Sequence, residues 1–322
     1  MLAYFSSLDP VHLFNSLPGG VAQGLVWGVM ALGVYITFRL LNIADLTVDG
    51  SFALGGAVTV MLIVSGTPAP LALVIAVAAG MLAGFFTGVL HTALGIPAIL
   101  AGILTQFALY SINLRIMDGA ANKALNVDKY NLIISSRYIS TAILVEIVFA
   151  VLLIGLLYWF FGTEVGCSLR ATGNNTAMSK AQGININRTK VLGLALSNGL
   201  VALSGGLMSQ YQGYADINMG RGAIVIGLAA VIIGEILGGA LFRKRLNFAG
   251  SLGFVISGGV IYYMVVNFVL WLKLNTNDLK LFTAVVVALF LAAPYLSGQA
   301  KSSFRKAGKN AVNPKGKDNG NA

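Results

Sequence analysis

Nine runs of mostly apolar residues, each near the ~20 needed to cross a bilayer as a helix, constrain this chain more than any other feature. They fall at 20–42, 46–66, 69–92, 96–117, 140–162, 190–212, 222–241, 247–271 and 279–298. Inside lipid every backbone N–H and C=O must find a partner within the protein, so runs of this length are helices. Only 10% of residues are charged and the mean hydropathy is +0.82, which excludes a soluble chain built around one large core. The expected fold is all-α: a polytopic membrane protein with about nine transmembrane helices over residues 20–298. Its 39 glycines suit helices that pack closely in lipid.

The flanks read differently. Asp9-Pro10 is a helix start, and Val11, Leu13, Phe14 and Leu17 follow on a partly apolar face. Residues 1–19 are therefore expected to be an interfacial segment. They lack the positive n-region of a cleaved signal peptide. Residues 299–322 are polar and basic, the composition of a disordered tail. Cys167 is the only cysteine, so no intrachain disulfide forms.

The net charge of +10 arises from short loops and this tail, and no nucleic-acid partner is expected. With segment 163–190 and the tail in the cytoplasm, Arg39 and Arg243-Lys244-Arg245 fall on the same side. Fourteen of the 21 Lys and Arg residues then lie inside. Seven lie outside: Arg115, Lys123, Lys129, Arg137, Arg221, Lys273 and Lys280. That bias predicts the N-terminus outside and the C-terminus inside.

Two stretches look alike. The first run leads into Ala44-Asp45, with Asp49-Gly50 after it; the sixth leads into Ala215-Asp216, with Gly220 after it. Each is followed by a Gly/Ala-rich run. With four runs on either side of the fifth, the halves would be inverted repeats, and interruptions at matching positions point at a transport pathway. The match is short, and coincidence stays open.

No catalytic constellation is visible. His12 and His91 lack companion ligands, so no metal is expected; no cofactor is expected either. No phosphate-binding G-x-x-x-x-G-K-[ST] occurs, so any ATP hydrolysis belongs to another chain. Carboxylates inside a membrane are costly and open to a functional reading. Asp45 suits a helix cap. Asp49 lies one turn on, either lining a pathway or bonded to hydroxyl groups. Asp216, at the outer mouth, is a cap or a substrate contact. Glu235 reads as bonded to a neighbouring helix or as a proton relay, and Glu146 as facing headgroups. Gln106, Tyr110 and Asn113 share one helical face. That stripe either lines a cavity for a small amphiphilic solute or bonds to another helix.

Segment 163–190 is the longest polar stretch between runs, Asn-dense and basic through Arg170, Lys180, Arg188 and Lys190. Such loops carry function more often than they fill space. A short helix is predicted over Thr176–Gln182 and stopped by Gly183, with Gly173 at its other end. It presents Ala177 and Ala181 on one face, small enough to enter a groove of a partner.

Leu169-Arg170-Ala171, with Gly173, Asn174, Ala177 and Gly183-Ile184 after it, resembles the permease family of bacterial ABC importers, the type 2 binding-protein-dependent inner-membrane component. Branched-chain amino acid and ribose permeases typify it. Ser197, Gly199, Ala202, Gly205 and Gly206 fit the family's next span, and the likeness covers about 20–298. Within it, LNIADLTVDGSFALGGA and IPAILAGILTQFALYSINLRIM resemble a branch linked in part to aromatic amino acid uptake. The resemblance implies a multi-pass protein of the bacterial plasma membrane and alternating access between two copies of the chain. It further implies an ATPase seated on 163–190 (Arg170, Gly173, Asn174, Ala177, Ala181, Gly183, Ile184) and an extracytoplasmic solute-binding protein. An ion-coupled secondary transporter and a non-transporting scaffold or receptor are the rival readings.

Overall fold

The computed structural model describes residues 10–242 and 247–272, and residues 281, 284, 285, 288 and 292 beyond them. Its elements are α1 (Pro10–Tyr35), a π-helical turn (Ile36–Leu40), α2 (Thr47–Val64), α3 (Ala69–Thr92), α4 (Ala98–Ile116), β1 (Asn122–Ala124), α5 (Ile139–Gly162), α6 (Glu164–Asn174), α7 (Thr176–Ala181), α8 (Ile186–Gln212), β2 (Tyr214–Asp216), α9 (Ala223–Phe242) and α10 (Phe248–Trp271). Among the described residues eight helices are long and apolar enough to cross a membrane. The ninth run, 279–298, and the tail lie outside the described residues, the five isolated positions apart.

Pro10, the first described residue, is already helical. The helix runs on unbroken through Pro18 to Tyr35, so residues 10–19 are continuous with the first span. Proline marks the start of other helices: Pro68 and Pro97 precede α3 and α4, where a missing N–H costs nothing.

Most of α1, α2 and α8 is buried, while α4 and α5 turn most of their surface outward. α8 runs through the centre, packed on α1, α2 and α3, and α10 closes against α1 and α9. The α2–α8 contact is backbone against backbone. A Cβ at Gly55 would fall inside the Ala202 carbonyl, and one at Gly205 inside the Phe52 carbonyl. Small residues allow this approach, and dispersion gained there holds helices together where lipid removes the hydrophobic drive.

The ends of the bundle differ. At one, β1 and β2 pair antiparallel with Asn122 opposite Asp216. At the other lie Arg39 and segment 163–190. We call these the hairpin end and the basic end.

Candidate functional site

Two breaks in helical structure build the site. The first follows the π-helical turn. Asn42 adopts φ 55, a left-handed conformation asparagine tolerates better than most residues, and residues 41–46 cross non-helically to α2. Asp45 sets the helix start: its Oδ1 accepts from the Thr47 N–H at 2.9 Å and its Oδ2 from Asn198 Nδ2 at 2.7 Å. Asn198 in turn accepts from Ser51 at 2.7 Å, and Thr47, Thr87 and Thr105 are linked through their hydroxyls. Asp45 is 1% exposed. It is a cap, as one of its two readings held, and also a tie to α8 that sequence spacing does not reveal.

The second break joins α8 to α9. From β2 the chain turns back into the bundle and descends beside α2. Ala215 packs in the cluster of Ala57, Val60 and Ile63; Met219 lies against Gly56, and Gly220 against the Asp49 backbone. Irregular backbone survives at this depth only where protein buries it or a cavity hydrates it. α9 consequently starts partway down the bundle, and Asp49 caps it. Its Oδ2 accepts from the Gly222 N–H and its Oδ1 from the Ile224 N–H, both at 3.0 Å. A carboxylate at a helix N-terminus meets unsatisfied N–H groups and the positive end of the dipole. Neither partner is a Ser or Thr hydroxyl, so that part of the expectation for Asp49 is corrected.

Beside this cap lies an open cavity of about 390 Å³, lined by Asp49, Gly50, Ala53, Gln106, Phe107, Tyr110, Asn113, Ile217, Asn218 and Arg221. The stripe Gln106, Tyr110 and Asn113 is therefore brought together with Asp49. Asn113 is 1% exposed; its Nδ2 reaches Gly50 O at a long 3.4 Å, and its Oδ1 has no hydrogen-bond partner among the described residues. A buried, unpaired acceptor beside a cavity costs stability unless something occupies it.

Asp216 is not in this cavity. It accepts from the Asn218 N–H at 2.6 Å, pairs with Asn122 across the hairpin, and lines a separate recess with Trp27 and Phe52. Arg221 and Asn218 are the residues sequence reasoning missed. Arg221 reads as a loop cation in the charge count, yet it lies in the cavity wall, exposed, and no carboxylate lies within ion-pair distance among the described residues. Only the ADINMGR match to the first break hinted that this stretch re-enters.

Two other carboxylates differ from each other. Glu235 pairs with Arg39 at 2.7 Å, a contact between α9 and the π-helical turn. Glu146 does not face headgroups. It is 3% exposed, and neither carboxylate oxygen has a hydrogen-bond partner among the described residues.

Segment 163–190 is largely helical rather than a loop. α6 is capped by Thr163, α7 by Asn175 and the start of α8 by Asn185, each accepting a backbone N–H from three residues on. α7 ends at Ala181, and Gly183 takes φ 80, the left-handed turn that favours glycine after a helix. Gly173 is helical, so the conformational reason expected for it does not hold. Its Cα faces Leu40, and a Cβ there would strike the Leu40 carbonyl. Arg170 also points back into the bundle. It donates to Phe161 O at 2.8 Å, and its guanidinium stacks 5.5 Å from the Phe248 ring centre. Asn174, Ala177 and Ala181 are exposed; Ile184 is half-buried.

Comparison with known proteins adds independent findings. The family described as branched-chain amino acid transport system / permease component matches residues 16–294. A tyrosine transport system permease protein of Clostridioides difficile is 39% identical over 286 residues, 89% of this chain and 94% of the relative. An autoinducer 2 import system permease of Yersinia pseudotuberculosis is 30% identical over 204 residues, 62% of this chain and 54% of the relative. The ribose import permease of Escherichia coli K12 is 27% identical over 206 residues, 63% of each. No solved structure matches.

Proposed function

We propose an amino acid with a large apolar side chain as the solute, from the premise that this chain belongs to the branched-chain amino acid transport system permease family and is the permease subunit of an ATP-binding cassette importer. One observation carries the choice: the cavity combines an unpaired cation with an unpaired acceptor and aromatic surface. Arg221 supplies a fork of N–H donors that fits a carboxylate. Asn113 Oδ1 needs a donor, which an ammonium group provides. Phe107, 71% exposed, and Tyr110 offer faces for the side chain. A few fixed polar groups in an apolar cavity orient a small ligand in this way. The relative from Clostridioides difficile, with tyrosine in its name, supports an aromatic side chain.

In this reading the basic end faces the cytoplasm of a bacterial plasma membrane, as the Lys/Arg bias supports. ATP is hydrolysed on a separate chain docked against Asn174, Ala177 and Ala181. A binding protein delivers the solute at the hairpin end, and two copies of the chain form the pathway. Arg170 and Gly173 hold the docking helices on α5 and the π-helical turn, so movement of the ATPase reaches the first break directly.

Proteoliposomes holding the permease, its ATPase and its binding protein test this. Arg221→Ala lowers uptake of the amino acid about tenfold or more, the worth of a charged hydrogen bond, while ATPase stimulation by loaded binding protein persists. Ala177→Trp abolishes stimulation and uptake together in a fully inserted protein. Unchanged uptake in Arg221→Ala removes the cavity from the pathway; unchanged stimulation in Ala177→Trp removes α7 from the docking surface.

A further inference from the structure

A second cavity, about 580 Å³, opens at the basic end between the last turn of α5, the start of α6 and the first turn of α10. Tyr158, Trp159, Thr163, Arg170, Asn247 and Phe248 line it. Three features of it point to a ligand.

The first is charge without a partner. Arg170 spends Nη2 on Phe161 O and Cys167 Sγ. Among the described residues its Nε and Nη1 donate to nothing, and no carboxylate pairs with it. A guanidinium carries five donors, so most of its capacity is unused among the described residues at this cavity. Among the described residues, Asn247 makes no side-chain cap for α10. In sequence, Arg243-Lys244-Arg245 stand just before Asn247.

The second is the wall. Trp159 and Tyr158 are 71% and 56% exposed, an amphipathic pair of the kind that sits at headgroup depth. The third is an apolar track leading into the cavity. Val148, Leu152, Leu156 and Trp159 are all outward on α5, and their spacing puts them on one helical face. The track ends at the cavity because Trp159 belongs to both.

We infer that this cavity binds one anionic phospholipid from the leaflet at the basic end. The phosphate takes the free N–H groups of Arg170, the headgroup rests against Trp159 and Tyr158, and an acyl chain follows Leu156, Leu152 and Val148. A basic pocket between helices at a membrane face is suited to such a headgroup. Bound there, the lipid braces α6 against α5 and α10. The binding site itself stands without the transport reading.

Native mass spectrometry of the full chain in neutral detergent tests it with three probes: dihexanoyl phosphatidylglycerol, dihexanoyl phosphatidylcholine and glycerol phosphate. The phosphatidylglycerol is retained and the phosphatidylcholine is not. Arg170→Gln lowers that retention about fivefold. Leu156→Ser and Trp159→Ser, both on the outer face of α5 and no threat to folding, lower it too. Equal retention of the two lipids overturns the proposal. So does glycerol phosphate binding as tightly as the lipid, which makes the site one for free phosphate. Unchanged retention in Trp159→Ser and Leu156→Ser also overturns it, whether or not Arg170→Gln can be purified.

Discussion

At the break before α2, the buried polar side chains have partners: Asp45 holds Thr47 and Asn198, Asn198 holds Ser51, and three threonines bond to one another. At the break before α9, Asp49 is satisfied by backbone, but Arg221 and the Asn113 carbonyl beside it are not. The two breaks share an Ala-Asp and a following Gly in sequence. What separates them is accounting for polar groups. The first is closed on itself and serves the fold. The second leaves a cation and an acceptor turned toward a cavity, which is what a site that receives a polar solute needs. Likeness of sequence marks where helices stop; satisfaction of hydrogen bonds tells which stop leaves polar groups turned to a cavity.

Replacing the matching aspartates gives the largest effect and tests the comparison most directly. Asp45→Ala strips the Thr47 N–H and Asn198 of buried partners, and unfolding in detergent costs about 3 kcal/mol less than in the parent chain. Asp216→Ala, near the hairpin end, costs under about 1 kcal/mol. The unfolding midpoints of the two variants measure the difference, and equal losses would break the distinction between the breaks.

Asp49→Asn gives an intermediate effect. Asparagine keeps one acceptor oxygen for the start of α9 but loses the charge that complements the helix dipole, so stability falls by about 1 kcal/mol. Because this cap also positions Arg221, uptake falls by more than stability alone explains. A variant with parental uptake at that reduced midpoint would make Asp49 a cap and nothing further.

How much of this was legible depends on range. Eight of the nine spans, the starts after Pro68 and Pro97 and the Gly183 stop follow from local signals: apolar run length, proline, glycine after a helix. The face shared by Gln106, Tyr110 and Asn113 follows from helical period, and that face does line the cavity with Asp49. The rest depends on contacts between residues far apart in sequence. Asp49 caps a helix that starts at Ala223, Asp45 reaches Asn198, and Glu146 is buried by neighbours that its own helix does not predict. Arg221 reads as a loop cation because a re-entrant stretch of Asp, Asn and Gly has the composition of a loop. Gly173 and Arg170 looked like parts of a docking surface, yet both touch the bundle; only packing against Leu40 and Phe161 shows which way they face.

The smallest effect on stability is expected at Asn113, and it sharpens the comparison furthest. Most buried polar groups cannot be removed cheaply, because each holds a partner that is then stranded. Asn113 is the exception among the residues of the cavity. Its amide reaches Gly50 O only at 3.4 Å, and among the described residues its carbonyl reaches nothing. Leucine has nearly the same shape and no acceptor to leave unpaired, so Asn113→Leu shifts the unfolding midpoint by less than about 0.5 kcal/mol. On the proposed pose the solute's ammonium group loses its acceptor all the same, so uptake falls about tenfold while ATPase stimulation by loaded binding protein stays. Midpoint and uptake measured on the same preparation separate the two readings of the stripe. A drop in stability with normal uptake makes Asn113 an interhelical tie. Intact stability with lost uptake means that its unmet hydrogen bond is kept for the solute.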